Sequence, residues 1–122
     1  MDTLAILYAL NATSLLLHEL ESAYVKEWEM LKLPGKITGF ILLHIPIIMI
    51  LFWGAIEIGR HSIFGRGIAI AAGVGGTIPF LVHKLFVRKN GYFESPISNW
   101  IIYSNLVLGL LTVFTAAYTI YN

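Results

Sequence analysis

Four stretches of this 122-residue chain carry no charged side chain: residues 3–18, 37–56, 67–83 and 95–122. They are 16, 20, 17 and 28 residues long. Crossing the hydrocarbon core of a bilayer as an α-helix takes ~20 mostly apolar residues, with a range of ~17–25. The second and fourth stretches meet that length, and the third meets its lower limit. The first reaches it only by taking in His18, Glu19 and Glu21, which places ionisable groups at membrane depth. Composition agrees. Hydrophobic residues make up 57% and charged residues 12%, against ~45–50% and ~25% in soluble domains. Fifteen charges are too few to keep a water-exposed surface free of large apolar patches.

Turn chemistry separates the runs. Leu33-Pro34-Gly35-Lys36 reads as a helix stop and restart, and Glu57 to Arg66 contains Gly59 and Gly65. Arg88-Lys89-Asn90-Gly91 is a C-cap and turn, with Pro96 suited to the next first turn. Short connections make sequential helices antiparallel neighbours. The expected fold is therefore all-α: an integral membrane, up-down four-helix bundle. It forms a single transmembrane domain over 1–122, with spans at about 3–28, 37–58, 66–87 and 97–120. The first and third connections, with their flanks, hold Lys26, Lys32, Lys36, Lys84, Arg88 and Lys89, whereas the second holds Arg60 and Arg66. This bias puts the first and third connections in the cytoplasm and both termini outside it. Tyr24, Trp28, Tyr92, Trp100 and Tyr103 read as interfacial anchors.

Several function classes fall away. A net charge of +1 offers no footprint for nucleic acid. With no cysteine, disulfides, thiolate metal sites and thiol nucleophiles are excluded. The acidic start Met1-Asp2-Thr3 lacks the positive region of a cleavable signal, so the first span is expected to be retained. The sequon Asn11-Ala12-Thr13 lies inside an apolar run and is read as chance. Gly73-Val74-Gly75-Gly76 follows no strand and lies mid-span, so it suits close helix packing rather than phosphate binding.

The chemistry concentrates on the first span. At ~100° per residue, Asn11, Ser14, His18, Glu21, Ser22 and Glu29 share one face about 100° wide. Lipid cannot satisfy such a face, so it must point into the bundle. His18 and Glu21, three apart, are neighbours on that helix. The pair suits metal ligation or acid–base chemistry, with the carboxylate orienting the imidazole. Glu19 falls at the edge of the face, about 100° from His18. His44 and His83 occupy the same half of the membrane as His18, whereas His61 lies in the second connection. His83 shares a face with Ala69, Ala72, Gly76 and Pro79, and Asn105 shares one with Gly109, Thr112 and Ala116. Both faces are expected to turn inward. Pro46 and Pro79 each free a backbone carbonyl near a histidine.

The segment His18-Glu19-Leu20-Glu21-Ser22-Ala23-Tyr24-Val25-Lys26-Glu27-Trp28-Glu29-Met30, with Leu33-Pro34-Gly35 and His44-Ile45-Pro46, resembles a family of small uncharacterised membrane proteins. These are similar in turn to a broader group named for a His-x-x-Glu-Glu motif. His18 and Glu21 match the first and fourth motif positions, and Ser22 stands where the second glutamate would be. The resemblance implies a four-span fold and no particular activity.

Three function classes follow. The leading expectation is a membrane-embedded enzyme acting on a lipophilic small molecule. Glu21 and His18 would be its catalytic pair, supported by Asn11, Ser22 and Asn105. His18, Glu21, His44 and His83 would form a divalent metal site for zinc, iron or manganese. The second is a proton or cation transporter or channel lined by the polar stripe. The third is a structural or accessory membrane subunit whose stripe binds a partner helix. Membrane lipid is the expected surrounding partner, and homo-oligomerisation through the glycine-rich third span is a separate expectation.

Overall fold

The computed structural model describes residues 3–24, 26–30, 32–82 and 96–121. The elements are α1 (Thr3–Tyr24), a single turn α2 (Glu27–Met30), α3 (Lys36–Gly59), α4 (Ile63–Val82) and α5 (Pro96–Tyr121). All four long helices have the length and apolarity to cross a membrane, which makes this an all-α integral membrane protein. The first helix is shorter than the 3–28 stretch. Lys26 adopts a left-handed φ of 58°, which ends the helical run before α2 begins. At the start of α3, Gly35 has φ +89°, a conformation that suits glycine. The α3–α4 connection is tight, and Ser62 Oγ accepts the Gly65 amide hydrogen bond at 3.1 Å, capping α4.

Helices α1, α4 and α5 form the inner core. Their contact is made by missing side chains. A Cβ at Gly76 would sit 2.5 Å from Asn11 Oδ1 and 2.9 Å from the Asn105 carbonyl oxygen. One at Gly73 would sit 2.7 Å from the Gly109 carbonyl oxygen. Ala69, Ala72, Gly73, Gly76 and Pro79 are buried on α4, facing Asn105, Thr112 and Ala116, which are buried on α5. Both inward faces are those expected from the sequence. Polar groups within this core mostly bond to backbone. Asn11 Nδ2 donates to the Ala72 carbonyl at 3.0 Å, Asn105 Nδ2 to the Ser14 carbonyl at 3.3 Å and Thr112 Oγ1 to the Leu108 carbonyl at 2.6 Å. Each such bond spares the core a desolvated, unmatched group.

Helix α3 lies outside this trio, against the seam of α1 and α4, and among the described residues it makes no contact with α5. Only Gly54 and Ile58 of α3 are buried, both near its C-terminal end. There the approach is close: a Cβ at Gly54 would lie 2.5 Å from both the Tyr8 hydroxyl and Ile68 Cγ2. The Tyr8 hydroxyl also donates to the Leu51 carbonyl at 2.6 Å. Towards its N-terminal end, α3 buries nothing fully, and Phe40, His44, Ile48 and Leu51 form a half-buried stripe. The helix is thus clamped at one end and stands off the α1–α4 seam at the other. Its outer face, including Leu42, Met49, Phe52 and Ile56, is exposed, as hydrocarbon contact requires.

Two neighbouring glycines make this packing testable. Gly75 has nothing within 4 Å of a Cβ, whereas Gly76 has none of that room. Gly76→Ala is expected to lower stability by about 1–3 kcal/mol through overpacking. Gly75→Ala is expected to raise it by about 0.5–1 kcal/mol. Thermal unfolding of both variants in mild detergent reads the difference in sign.

Candidate functional site

The space left by the standing-off of α3 is a cavity of about 460 Å³ between α1, α3 and α4. Its walls are almost wholly aliphatic and aromatic, and its polar groups are the side chains of His18, Glu19 and His44 and the indole N–H of Trp28. Ligand cavities span ~300–1,000 Å³ and pair apolar walls with a few placed polar groups. Ile47, Ile50, Ala71 and Ile78 line it and are exposed, so it is a slot open along its length rather than a sealed void.

Glu19 and His44 meet inside this slot. His44 Nε2 lies 2.6 Å from Glu19 Oε2, with the two side chains 13% and 31% exposed. The other imidazole nitrogen, Nδ1, lies 2.7 Å from the Phe40 carbonyl oxygen. A carbonyl can only accept, so Nδ1 carries a proton and donates it. One further proton then occupies the Nε2–Oε2 contact. It belongs either to an imidazolium facing a carboxylate or to a carboxylic acid facing a neutral imidazole. In both forms the pair has no net charge, which suits a site walled by hydrocarbon. The Phe40 ring stacks on the imidazole, centroids 4.1 Å apart, and Trp28 tilts against Phe40 at 5.5 Å. The ring position is therefore held from two directions, by the backbone carbonyl and by the aromatic stack.

His18 is buried and lines the same slot, with its Nε2 3.4 Å from Ser22 Oγ. Glu21 is half-buried and does not line the slot among the described residues. His83 lies outside the described residues. Among the described residues no group of three or more His, Cys, Asp or Glu stands together as a metal cage. Asn11 and Asn105 hold the α1–α4 and α1–α5 seams through the bonds given above. Pro79 and Gly75 also line the slot. Proline at 79 removes the donor that the Gly75 carbonyl would have met in the helix, so a freed acceptor belongs to that wall.

Three slot residues were not among the site residues expected from sequence. Glu19 fell at the margin of the polar face. Trp28, read as an interfacial anchor, is 6% exposed, whereas Tyr24 and Trp100, read the same way, are exposed at 87% and 72%. Phe40 gave no signal within its apolar run. A wheel centred on His18 describes the side of α1 that meets α4 and α5. Tyr8 and Glu19, about 80° and 100° round from His18, face α3 instead. A second inward arc was the missing element, and Tyr8, Leu15 and Glu19 trace it.

A double-mutant cycle tests the pair. A hydrogen bond involving charge contributes about 1.5–3 kcal/mol, and removing one partner leaves the other uncompensated. Glu19→Leu and His44→Leu should each destabilise by that order. The double variant should lose clearly less than the two single losses combined. Simple additivity would mean the two groups do not interact.

No curated protein and no solved structure matches this chain. A family model does match, over residues 4–119, and the chain belongs to that family, the family of unknown function DUF6713.

Proposed function

We propose that this protein is a membrane-embedded acid–base enzyme acting on a lipophilic substrate, with Glu19 and His44 as the reacting pair. The observation that carries this reading is the 2.6 Å contact between Glu19 Oε2 and His44 Nε2 on the wall of an apolar slot. A positioned carboxylate–imidazole pair can give a proton to a substrate oxygen and recover one from a neighbouring atom without building net charge. Its orientation is preset by the Phe40 carbonyl and ring, so little reorganisation is needed when substrate enters. His18, next to Glu19 on α1 and lining the same slot, and Glu21, one turn further along that helix, support the pair in this reading.

The catalytic and metal roles expected of His18, Glu21, His44 and His83 remain part of it. The likeness of the first 46 or so residues to the His-x-x-Glu-Glu group belongs there too. Zinc, iron or manganese, if used, would take His44 through Nε2, since Nδ1 is engaged by Phe40, with Glu19 as the adjoining carboxylate donor. Such an ion would supply Lewis acidity at the same place.

Lipid profiles test the proposal. Membranes containing the native chain should show one lipophilic species depleted and another gained. Glu19→Gln and His44→Ala should lower that conversion at least a hundredfold, within the range typical of general acid–base groups. Profiles that are identical with the native chain and with both variants would overturn the enzyme reading.

The same reading sets the pair in the cytoplasmic half, with the α3–α4 connection and both termini outside. The chain has no native cysteine, so single cysteines report topology without background. In intact cells an impermeant maleimide should label Arg60→Cys, and it should reach Lys32→Cys only after permeabilisation. The reverse pattern would invert the orientation.

A further inference from the structure

The shape and charge of the slot narrow the substrate class. On α3 the lining runs from Phe40 to Leu51, and on α4 from Ile68 to Val82. At ~1.5 Å rise per residue these stretches are about 16 Å and 21 Å long. A volume of about 460 Å³ spread over that length leaves a cross-section of roughly 20–30 Å². Apolar carbons in contact sit ~3.5–4.0 Å apart, so one polymethylene chain fills about 20 Å². The slot therefore has room for at least one hydrocarbon chain laid along it.

Its two ends differ. Glu19, His44 and Trp28 stand towards the α1–α3 connection. At the other end the Tyr8–Leu51 hydrogen bond and the Gly54 contact bring α3 onto α1 and α4. From the level of His44 the apolar stretch continues for about 10 Å along α3 and about 17 Å along α4. With C–C bonds of ~1.5 Å in a zigzag, that accommodates roughly 8–14 carbons.

Charge narrows the head group. The lining among the described residues contains no Lys or Arg, and the Glu19–His44 pair is neutral as a unit whichever atom holds the shared proton. Against the described lining, a carboxylate, phosphate or ammonium head would lose its hydration and meet no counter-charge. A hydroxyl or carbonyl oxygen would exchange hydrogen bonds with the pair at no such penalty. We infer that the slot binds an uncharged amphiphile through a hydrocarbon chain, with its hydroxyl or carbonyl head at Glu19–His44 and that chain running towards Leu51 and Ile68. This deepens the proposed function and rests on it for the role of the pair.

Photo-labelling in liposomes tests it. The probes are twelve-carbon chains with a terminal diazirine, carrying a hydroxyl, a carboxylate or a trimethylammonium head at equal mole fraction. Mapped by peptide mass spectrometry, the alcohol should label residues around Leu51 and Ile68, at least tenfold more than either ionic probe does. Gly75, whose Cβ would meet open space, lies between the pair and the tail end. Gly75→Leu should cut that labelling at least tenfold while leaving a six-carbon alcohol probe within twofold of the native chain. Equal labelling by an ionic probe, or label spread over outward residues such as Phe52 and Phe114, would overturn the inference. The head-group comparison uses the native chain, so it stands even if Gly75→Leu fails to fold. Turnover is read separately. The expected labelling in a chain that converts no lipid keeps this inference and removes the enzyme. Conversion of an ionic lipid keeps the enzyme and removes this inference.

Discussion

The rest of the molecule depends on how α4 uses its small residues. Gly73, Gly76, Ala69 and Ala72 are spent on bringing α4 onto α1 and α5. Within a bilayer such close approach is the main source of helix association, since lipid tails offer no hydrophobic gain between helices. With that face committed, α3 has only the α1–α4 seam to pack on. It finds a small-residue contact there at one place, around Gly54 and Gly65. Above that clamp, bulky residues on α3 hold it away from the seam, and the slot is what remains. The cavity follows from where glycine is and is not available.

That geometry explains why an ionisable pair is tolerated at membrane depth. Glu19 comes from α1 and His44 from α3, and each would face hydrocarbon alone if the two helices were apart. Their contact, 2.6 Å long, leaves no net charge. The carbonyl of Phe40 takes the remaining imidazole proton. Every hydrogen-bonding atom of the imidazole is thus matched. The pair remains able to trade its proton, which a sealed and packed ion pair in the core could not do with a ligand.

Much of this was legible from the chain itself. Charge-free runs gave four spans because charge is costly in hydrocarbon, and the inward faces of α4 and α5 followed from the spacing of Gly, Ala, Asn and Thr. Asn11, Ser14, His18 and Ser22 were correctly placed on a buried face of α1. What periodicity could not give was the number of neighbours that α1 has. A helix touching three others has an inward arc wider than a polar stripe, and Glu19 sits on the part that the stripe leaves out. The end of α1 was equally hidden, since Lys26 carries no glycine-like signal for its left-handed backbone. Trp28 looked like an anchor because tryptophan favours interfaces, whereas the turn after Lys26 folds it back over Phe40.

On this geometry one proton is shared between Glu19 and His44 in an apolar slot. Solid-state nitrogen NMR of ring-labelled histidine in bilayers addresses it most directly. A shared proton gives a His44 signal with Nδ1 protonated and with Nε2 shifted by a strong hydrogen bond, the Nε2 shift being lost in Glu19→Gln. A His44 signal showing Nε2 protonated and Nδ1 bare, or one unchanged in Glu19→Gln, would contradict it.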